Sequence, residues 1–389
     1  MSQIKKTDVC IIGSGPSGVA TSLMLSKLKI KHCIVDKATF PRDKTCGDGL
    51  ILYAYKSLKL LGEDLFLEFL KNPKFIHSKK ITLLINNNSK IEFKESEDRD
   101  MVISYAKRFD FDHFLVNHLS SEYACQYFGN GVKVLENQTG GVYIKLKNGE
   151  EILSKMVVGA DGAKSIVSGK LAQNKIDKKF SSTFVSAYFT GVQDLAIKNE
   201  AEVRMIYKKT LLFFYVFPLS DGQVNISLGG RSDQIKKNGI NLVHEIENLI
   251  KTNKYIKHQF VNATKVNSWR GWSIPFHFGN YKISGERFLL VGDAAGLANA
   301  FYKEGIGTGM MSGIIAANNI EKCLRENNFS EQILKSYEKD IKKEFGRLLK
   351  ASHYTLRFAK FKMFFLSVVM LFKYKIEGKA TKVIKKRSY

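Results

Sequence analysis

Residues Thr7 to Asp36 constrain the fold more than any other stretch, because strand, tight turn, helix and strand follow one another without a gap. Asp8-Val9-Cys10-Ile11-Ile12 is a short apolar run of the kind buried in a parallel sheet. Gly13-Ser14-Gly15-Pro16-Ser17-Gly18 comes next and fits G-x-G-x-x-G. Val19 to Lys29 then places Ala20, Leu23, Met24 and Leu28 at helical spacing, and His32-Cys33-Ile34-Val35-Asp36 is a second strand ending on an acid. Each part has a physical task. Gly13 permits the turn, Gly15 lets a pyrophosphate approach the backbone, and Gly18 lets the helix lie against the strand. Pro16 and Ser17 begin the helix, whose free N–H groups and partial positive charge suit phosphates. Asp36 stands where a carboxylate accepts hydrogen bonds from ribose hydroxyls.

A chain of 389 residues, 44% hydrophobic, has ample material for a core and suggests two domains, or one large domain with an inserted sheet. The five cysteines, Cys10, Cys33, Cys46, Cys125 and Cys323, include no C-x-x-C pair. No disulfide framework and no metal site are expected, and a reducing cytoplasm fits. Met1 to Thr7 is polar and no run reaches the roughly 20 apolar residues of a spanning helix, so neither a signal peptide nor a membrane span is expected. The net charge is +24, and about half of the excess lies between Lys335 and Tyr389. No nucleic-acid motif accompanies this charge, so nucleic acid is not expected as a partner. An anionic membrane surface suits it better, with a merely solvated basic face as the competing account.

After Asp36 a loop carries Pro41-Arg42-Asp43-Lys44-Thr45-Cys46-Gly47-Asp48-Gly49. It leaves the carboxyl end of a strand, where open α/β sheets bind ligands. Its basic neighbours predict a lowered pKa for Cys46; packing alone is the other reading. Leu52 to Leu70 is predicted as one helix, Lys80 to Phe93 as two strands around Asn86-Asn87-Asn88, and Arg108 to Leu119 as a helix. Gly131 to Val158 reads as a three-stranded meander that runs into Gly159-Ala160-Asp161-Gly162. Phe180 to Gly230 is strand-rich, Ile240 to Thr252 helical, and Trp269 to Phe276 a strand. Phe288-Leu289-Leu290-Val291 is a buried strand followed by Gly292-Asp293-Ala294-Ala295-Gly296. Gly305 to Leu324 is a helix in which Gly309 and Gly313 permit close packing, and a basic helical tail follows from Ser330. If the first strand and Phe288–Val291 share a sheet, their glycine turns hold two parts of one long ligand, and the intervening strands form a second layer.

Five separated motifs now coincide. They are Gly13-x-Gly15-Pro16-x-Gly18 with Asp36; Pro41-Arg42-x-Lys44-x-Cys46-Gly47-x-Gly49; Arg108-x-x-Phe111-Asp112-x-x-Leu115; Ala160-Asp161-Gly162-x-x-Ser165; and Gly292-Asp293-Ala294-Ala295-Gly296 with Glu304-Gly305-Ile306. The set, over about residues 5 to 325, resembles FAD-dependent oxidoreductases of the p-hydroxybenzoate hydroxylase fold, and among them the geranylgeranyl reductase family. The resemblance implies an α/β fold, α+β overall: a Rossmann-type FAD-binding domain (1–75, 101–180 and 277–330), an inserted antiparallel-sheet substrate domain (76–100 and 181–276), and a basic C-terminal helical region (331–389). It implies non-covalent FAD held through Gly13, Gly15, Pro16, Ser17, Gly18 and Asp36 at its ADP half. Cys46, Gly47 and Gly49 would lie beside the flavin, and Arg108 near the phosphates or ribityl chain. Asp161 belongs to the Asp-Gly motif, Asp293 would bond ribityl hydroxyls, and the N–H groups of Gly305 and Ile306 would face the flavin pyrimidine.

The chain departs from the family pattern at the substrate-wall strand Phe213-Phe214-Tyr215-Val216-Phe217-Pro218, where Phe and Tyr replace Tyr and Trp. It departs again at Ala300, Lys303 and Ser168. Lys303 would put a cation near the flavin or point to solvent. The implied activity is NAD(P)H-linked reduction of carbon–carbon double bonds in an isoprenoid-like lipid, with NAD(P)H bound transiently and Cys46 and Tyr215 as candidates for acid or positioning roles. An FAD monooxygenase acting on a small aromatic or polyketide-like substrate is the alternative, and an electron-transfer flavoprotein a third reading. Met363 to Phe372, flanked by lysines, would dock residues 358–389 on the cytoplasmic membrane face.

Overall fold

The computed structural model describes residues 4–85, 89–94, 103–175, 177–193, 200–276 and 281–358. The strand Lys5–Ile12 lies at the centre of the first sheet, parallel to Glu151–Gly159 on one side and to His32–Val35 on the other. Phe288–Leu290 adds in parallel beyond Glu151–Gly159, and Ala124–Tyr127 beyond His32–Val35. The registers Ile12 to Gly159, Gly159 to Leu290 and Ile12 to Val35 bring the carboxyl ends of four strands level. Motifs far apart in sequence therefore issue from one edge of one sheet. Val132–Gln138 and Gly141–Leu146 form the meander with Glu151–Gly159.

Backbone proximity explains the glycines at this edge. Gly13 has φ +105°, and a Cβ there would stand 2.4 Å from the Ala160 carbonyl oxygen. Gly313 lies where helix Ile306–Arg325 crosses helix Pro16–Lys27, and a Cβ would come within 2.5 Å of the Ser17 carbonyl oxygen.

The second sheet runs Thr264–Lys265, Ser181–Thr190, Val224–Arg231, Leu211–Pro218, Ala201–Tyr207, Lys80–Ile85 and Ser89–Lys94, with Arg270–Pro275 also on Ser181–Thr190. It is antiparallel except where Ala201–Tyr207 meets Lys80–Ile85 in parallel, because these strands come from separate excursions of the chain. Leu211–Pro218 is buried on both faces. Phe213, Tyr215 and Phe217 face the interior between the two sheets, while Leu212, Phe214 and Val216 pack with Ile246 and Leu249 of helix Leu242–Thr252. A small third sheet joins Gly49–Leu50, Ile103–Tyr105 and Ile76–Ser78.

The predicted helix Leu52–Leu70 is two helices, Leu52–Leu61 and Glu63–Lys71. Gly62, extended at φ 176° and ψ 140°, ends the first and starts the second. The helix Glu331–Phe358 is not a solvated appendage: Leu334, Tyr337, Ile341 and Phe345 are buried at helical spacing, and the Tyr337 hydroxyl donates to the Leu290 carbonyl at 2.7 Å. The membrane-docking reading of Met363 to Phe372 and its flanking lysines lies outside the described residues. Among the described residues no helix is long and apolar enough to cross a membrane.

Candidate active site

Two adjoining hollows lie where the level strand ends meet the second sheet. The polar one, a cleft of about 90 Å³, is lined by Gly15, Pro16 and Ser17 of the first turn, Arg108, Asp293, and Gly305 with Ile306. The apolar one, about 220 Å³, lies under the inner face of the second sheet, against Phe184, Phe213, Tyr215 and Phe217. Cys46, Trp272, Ile274, Lys303, Gly305 and Ile306 wall both.

The polar cleft is built from unfilled hydrogen-bonding capacity. Helix Pro16–Lys27 begins at Gly15 with no side-chain cap, which leaves first-turn N–H groups to whatever occupies the cleft. Helix Ile306–Arg325 begins likewise at Gly305, and no bond reaches the Gly305 or Ile306 N–H among the described residues. The Asp293 carboxylate likewise has no hydrogen-bond donor there, and burial pushes its pKa up.

Arg108 is fixed by Asp112, one helical turn on: Nε and one terminal nitrogen each donate to a carboxylate oxygen at 2.6 Å. Arg42 adds a third contact to Asp112 at 3.0 Å. This ties the Cys46 loop to helix Arg108–Val116.

The other residues singled out by the sequence are placed by contacts of their own. The Gly13 N–H donates to the Val35 carbonyl at 2.7 Å, and Gly18 packs beneath the turn. Asp36 accepts from the N–H groups of Ser14 at 2.7 Å and Ala38 at 2.9 Å, which fixes its carboxylate at the strand end. Asp161 turns towards the next helix, accepting from the Ile166 N–H at 2.6 Å, while its other oxygen is buried without a hydrogen-bond partner among the described residues. Gly47 and Gly49 line the apolar cavity, not the polar cleft.

The Cys46 expectation is reversed. Burial pushes its thiol up and outweighs the opposing pull of Arg108 and Lys44. Tyr215 is a wall residue: its ring stacks on Phe184 at 5.6 Å and on Phe217 at 5.3 Å, and burial raises its hydroxyl pKa as well. Lys303 does not point to solvent; it is 8% exposed.

Sequence reasoning missed Asp48, which sits unread inside Cys46-Gly47-x-Gly49. It is wholly buried and accepts from Asn225 Nδ2 at 2.7 Å, the Tyr188 hydroxyl at 3.0 Å and the Arg108 N–H at 3.3 Å. Asn225 also donates to the Cys46 carbonyl at 2.8 Å. The cluster clamps the Cys46 loop to the second sheet. An acid between two glycines in a ligand loop was the available signal.

The FAD binding domain family matches residues 6–352. The chain belongs to this family. It is 25% identical over 353 residues to the digeranylgeranylglycerophospholipid reductase of Methanocella arvoryzae, covering 88% of this chain and 84% of that one. It is 22% identical over 358 residues to the 1H-pyrrole-2-carbonyl-[peptidyl-carrier protein] chlorinase of Pseudomonas fluorescens, covering 85% and 79%. Among solved structures, a geranylgeranyl bacteriochlorophyll reductase-like protein of Thermoplasma acidophilum superimposes with a TM-score of 0.78 at 20% identity, covering 91% and 88%. The fold is the one the motifs implied, and the protein is an FAD-dependent oxidoreductase.

FAD fits the residues present. The uncapped helix start at Gly15 offers N–H donors for a pyrophosphate, and a Cβ on Gly15 would find, among the described residues, only the Arg42 guanidinium nearby, at 3.6 Å. Asp293 offers free acceptors for hydroxyls, and the start at Gly305 offers N–H donors for a flavin carbonyl edge. Asp293→Ala is expected to weaken FAD binding by about 1–3 kcal/mol, roughly fivefold to more than a hundredfold, through loss of those acceptors. Titrating flavin-stripped wild type and variant with FAD measures it; equal affinities would remove Asp293 from the binding set.

Proposed function

We propose that the protein reduces carbon–carbon double bonds of an isoprenoid-like lipid, with NAD(P)H as a transient electron donor. The observation that carries this reading is the apolar cavity beside the polar cleft, with six residues walling both. An occupant of the cavity lies against whatever occupies the cleft, and aromatic and aliphatic walls suit an uncharged hydrocarbon chain. The relative named as a digeranylgeranylglycerophospholipid reductase supports the same substrate class.

Bound FAD would supply two-electron chemistry, accepting and giving hydride. The chain's own residues would do the rest. Gly15 to Ser17, Arg108, Asp293, Gly305 and Ile306 would hold the cofactor. Phe184, Tyr215 and Phe217 would exclude water and orient the chain. Cys46 stands where cavity and cleft meet, and its raised pKa keeps Sγ protonated at neutral pH. It would hold a proton beside the site and is poorly suited to attack as a thiolate.

The test is anaerobic. The FAD-loaded protein is reduced in separate arms with NADPH, NADH and dithionite, then mixed with a polyprenyl lipid or with oxygen. Fast reoxidation by the lipid, with a product richer by two hydrogens, is expected. Reoxidation by oxygen but not by the lipid, with hydroxylation of an added aromatic substrate or its chlorination when chloride is supplied, would replace this reading. The dithionite arm separates failure of the nicotinamide donor from failure of the lipid.

A further inference from the structure

Lys303 brings an amine into the apolar cavity with no acid paired to it among the described residues. Its side chain walls both hollows and is 8% exposed. Nζ donates to the Ala300 carbonyl and lies 5.0 Å from the Phe276 ring centroid and 5.5 Å from that of Phe213. No carboxylate lies within ion-pair distance of it among the described residues. Glu304, next in the chain, is engaged elsewhere, accepting from the Gly307 N–H.

The lysine is held in place deliberately by its loop. Asn299 Oδ1 accepts from the N–H groups of Phe301 and Tyr302 at 2.9 Å each, and the Lys303 N–H donates to the Asn299 carbonyl at 2.9 Å. Lys303 has φ 59°, a conformation that favours glycine. A long cationic side chain kept at such a position, in a site otherwise built for hydrocarbon, is the kind of local strain that clusters at ligand clamps.

We propose that Lys303 is an anion anchor and that the cavity takes an acidic amphiphile, an apolar chain whose carboxylate or phosphate headgroup sits on Nζ. A buried ammonium without a counter-ion is costly, and a carbonyl and aromatic faces offset only part of that cost. The ligand's anion supplies the missing partner. The headgroup then lies at the junction of cavity and cleft, and the chain extends along the aromatic wall. This rests on the reading of the cavity as a lipid site and narrows it to lipids with an acidic end.

The site also carries its own proton signature. Burial, with a smaller contribution from Arg231, pushes the Lys303 pKa down to about 7. The other charged or titratable groups bordering the two hollows are Cys46 in both, Asp48, Tyr215, Tyr302 and Glu304 in the cavity, and Lys44, Arg108 and Asp293 in the cleft. A bound anion favours the ammonium, so binding above neutrality draws a proton onto Nζ.

The test is calorimetric titration of the FAD-loaded protein with decanoate, decyl phosphate, decanol and acetate. It is run at about pH 6 and about pH 8.5, in two buffers of different ionisation enthalpy. Wild type is expected to bind decanoate or decyl phosphate at least about tenfold more tightly than decanol, and acetate weakly. Decanoate binding should take up close to one proton at the higher pH and few at the lower. Lys303→Met should keep decanol binding and lose both the preference and the proton uptake; Lys303→Arg should keep the preference. Equal affinities for decanoate and decanol, or a preference that survives in Lys303→Met, overturns the anchor while leaving the lipid reading intact. Acetate as tight as decanoate shows a free-anion site and overturns the amphiphile. Failure of every chain-bearing probe overturns both readings. Should Lys303→Met lose FAD, Lys303→Arg decides: an anchor keeps the preference and loses the proton uptake, because a guanidinium is already charged, whereas uptake that persists in Lys303→Arg belongs to Asp48 or Glu304 and overturns the anchor.

Discussion

Replacing Arg108 with methionine is expected to destabilise the protein by about 3 kcal/mol, because it leaves the buried Asp112 carboxylate with one partner where it had two. Both side chains are almost fully shielded, at 4% and 0% exposure, and their two contacts at 2.6 Å are charge-assisted. Breaking such a pair typically costs 3–5 kcal/mol, and the low end applies because Arg42 still reaches Asp112 at 3.0 Å. FAD affinity should fall as well, since Arg108 lines the polar cleft. The informative comparison is the double variant Arg108→Met/Asp112→Leu. Removing both charges relieves the orphaned carboxylate, so most of the lost stability should return while the FAD affinity does not. Urea unfolding with and without added FAD measures the two effects separately. Equal instability of the single and double variants would mean that the pair does not carry the loss.

The fold was legible wherever its signals were local. Val9 to Asp36 shows strand, turn, helix and strand within one short span, and each feature follows from spacing or from a glycine whose Cβ would strike backbone. The meander from Gly131 to Val158 was legible for the same reason, since turn residues separate its strands. Gly62 was overlooked because the apolar periodicity runs on across it while the backbone does not. The motifs that converge on the polar cleft could be read singly, and only the parallel registers of the first sheet show them level. Contacts between distant segments were not legible at all. Asp48 meets Tyr188 and Asn225, 140 and 177 residues away in the chain, and no periodicity encodes that meeting. The Cys46 thiol was misjudged for a related reason. Sequence shows Arg42 and Lys44 beside it but not the second sheet that buries it, and burial outweighs the nearby cations. Lys303 could be seen as a departure from the family pattern, but whether it faced water or the cavity depended on the loop from Asn299 to Glu304.

Asp48 gives the second large effect, as a dependence of stability on pH. Burial pushes its pKa from the ordinary 3.8 to about 7, against the three donors that favour its ionised form. Because the folded pKa is raised, the folded chain binds the proton more tightly than the unfolded chain does. The resulting stabilisation is fully present below the unfolded pKa and is lost as the pH rises through about 7. Wild type should therefore lose stability relative to Asp48→Asn between about pH 5 and pH 8, by about 3 kcal/mol at 1.4 kcal/mol per unit of pKa difference. Asparagine is the right comparison because its carbonyl oxygen can still accept from Tyr188 and Asn225, so packing and most hydrogen bonds remain. Glu304, also raised to about 7 by burial, is present in both proteins and cancels in the difference. Urea unfolding of both proteins across this range, at fixed FAD, gives the difference curve. A curve that falls for wild type relative to the variant and levels off above about pH 8 supports a carboxyl poised near neutrality. Parallel curves would show that the donors from Asn225, Tyr188 and Arg108 outweigh burial and that Asp48 is ionised throughout. In that case the clamp on the Cys46 loop is a permanent anion, and the loop holds the same position on either side of neutrality.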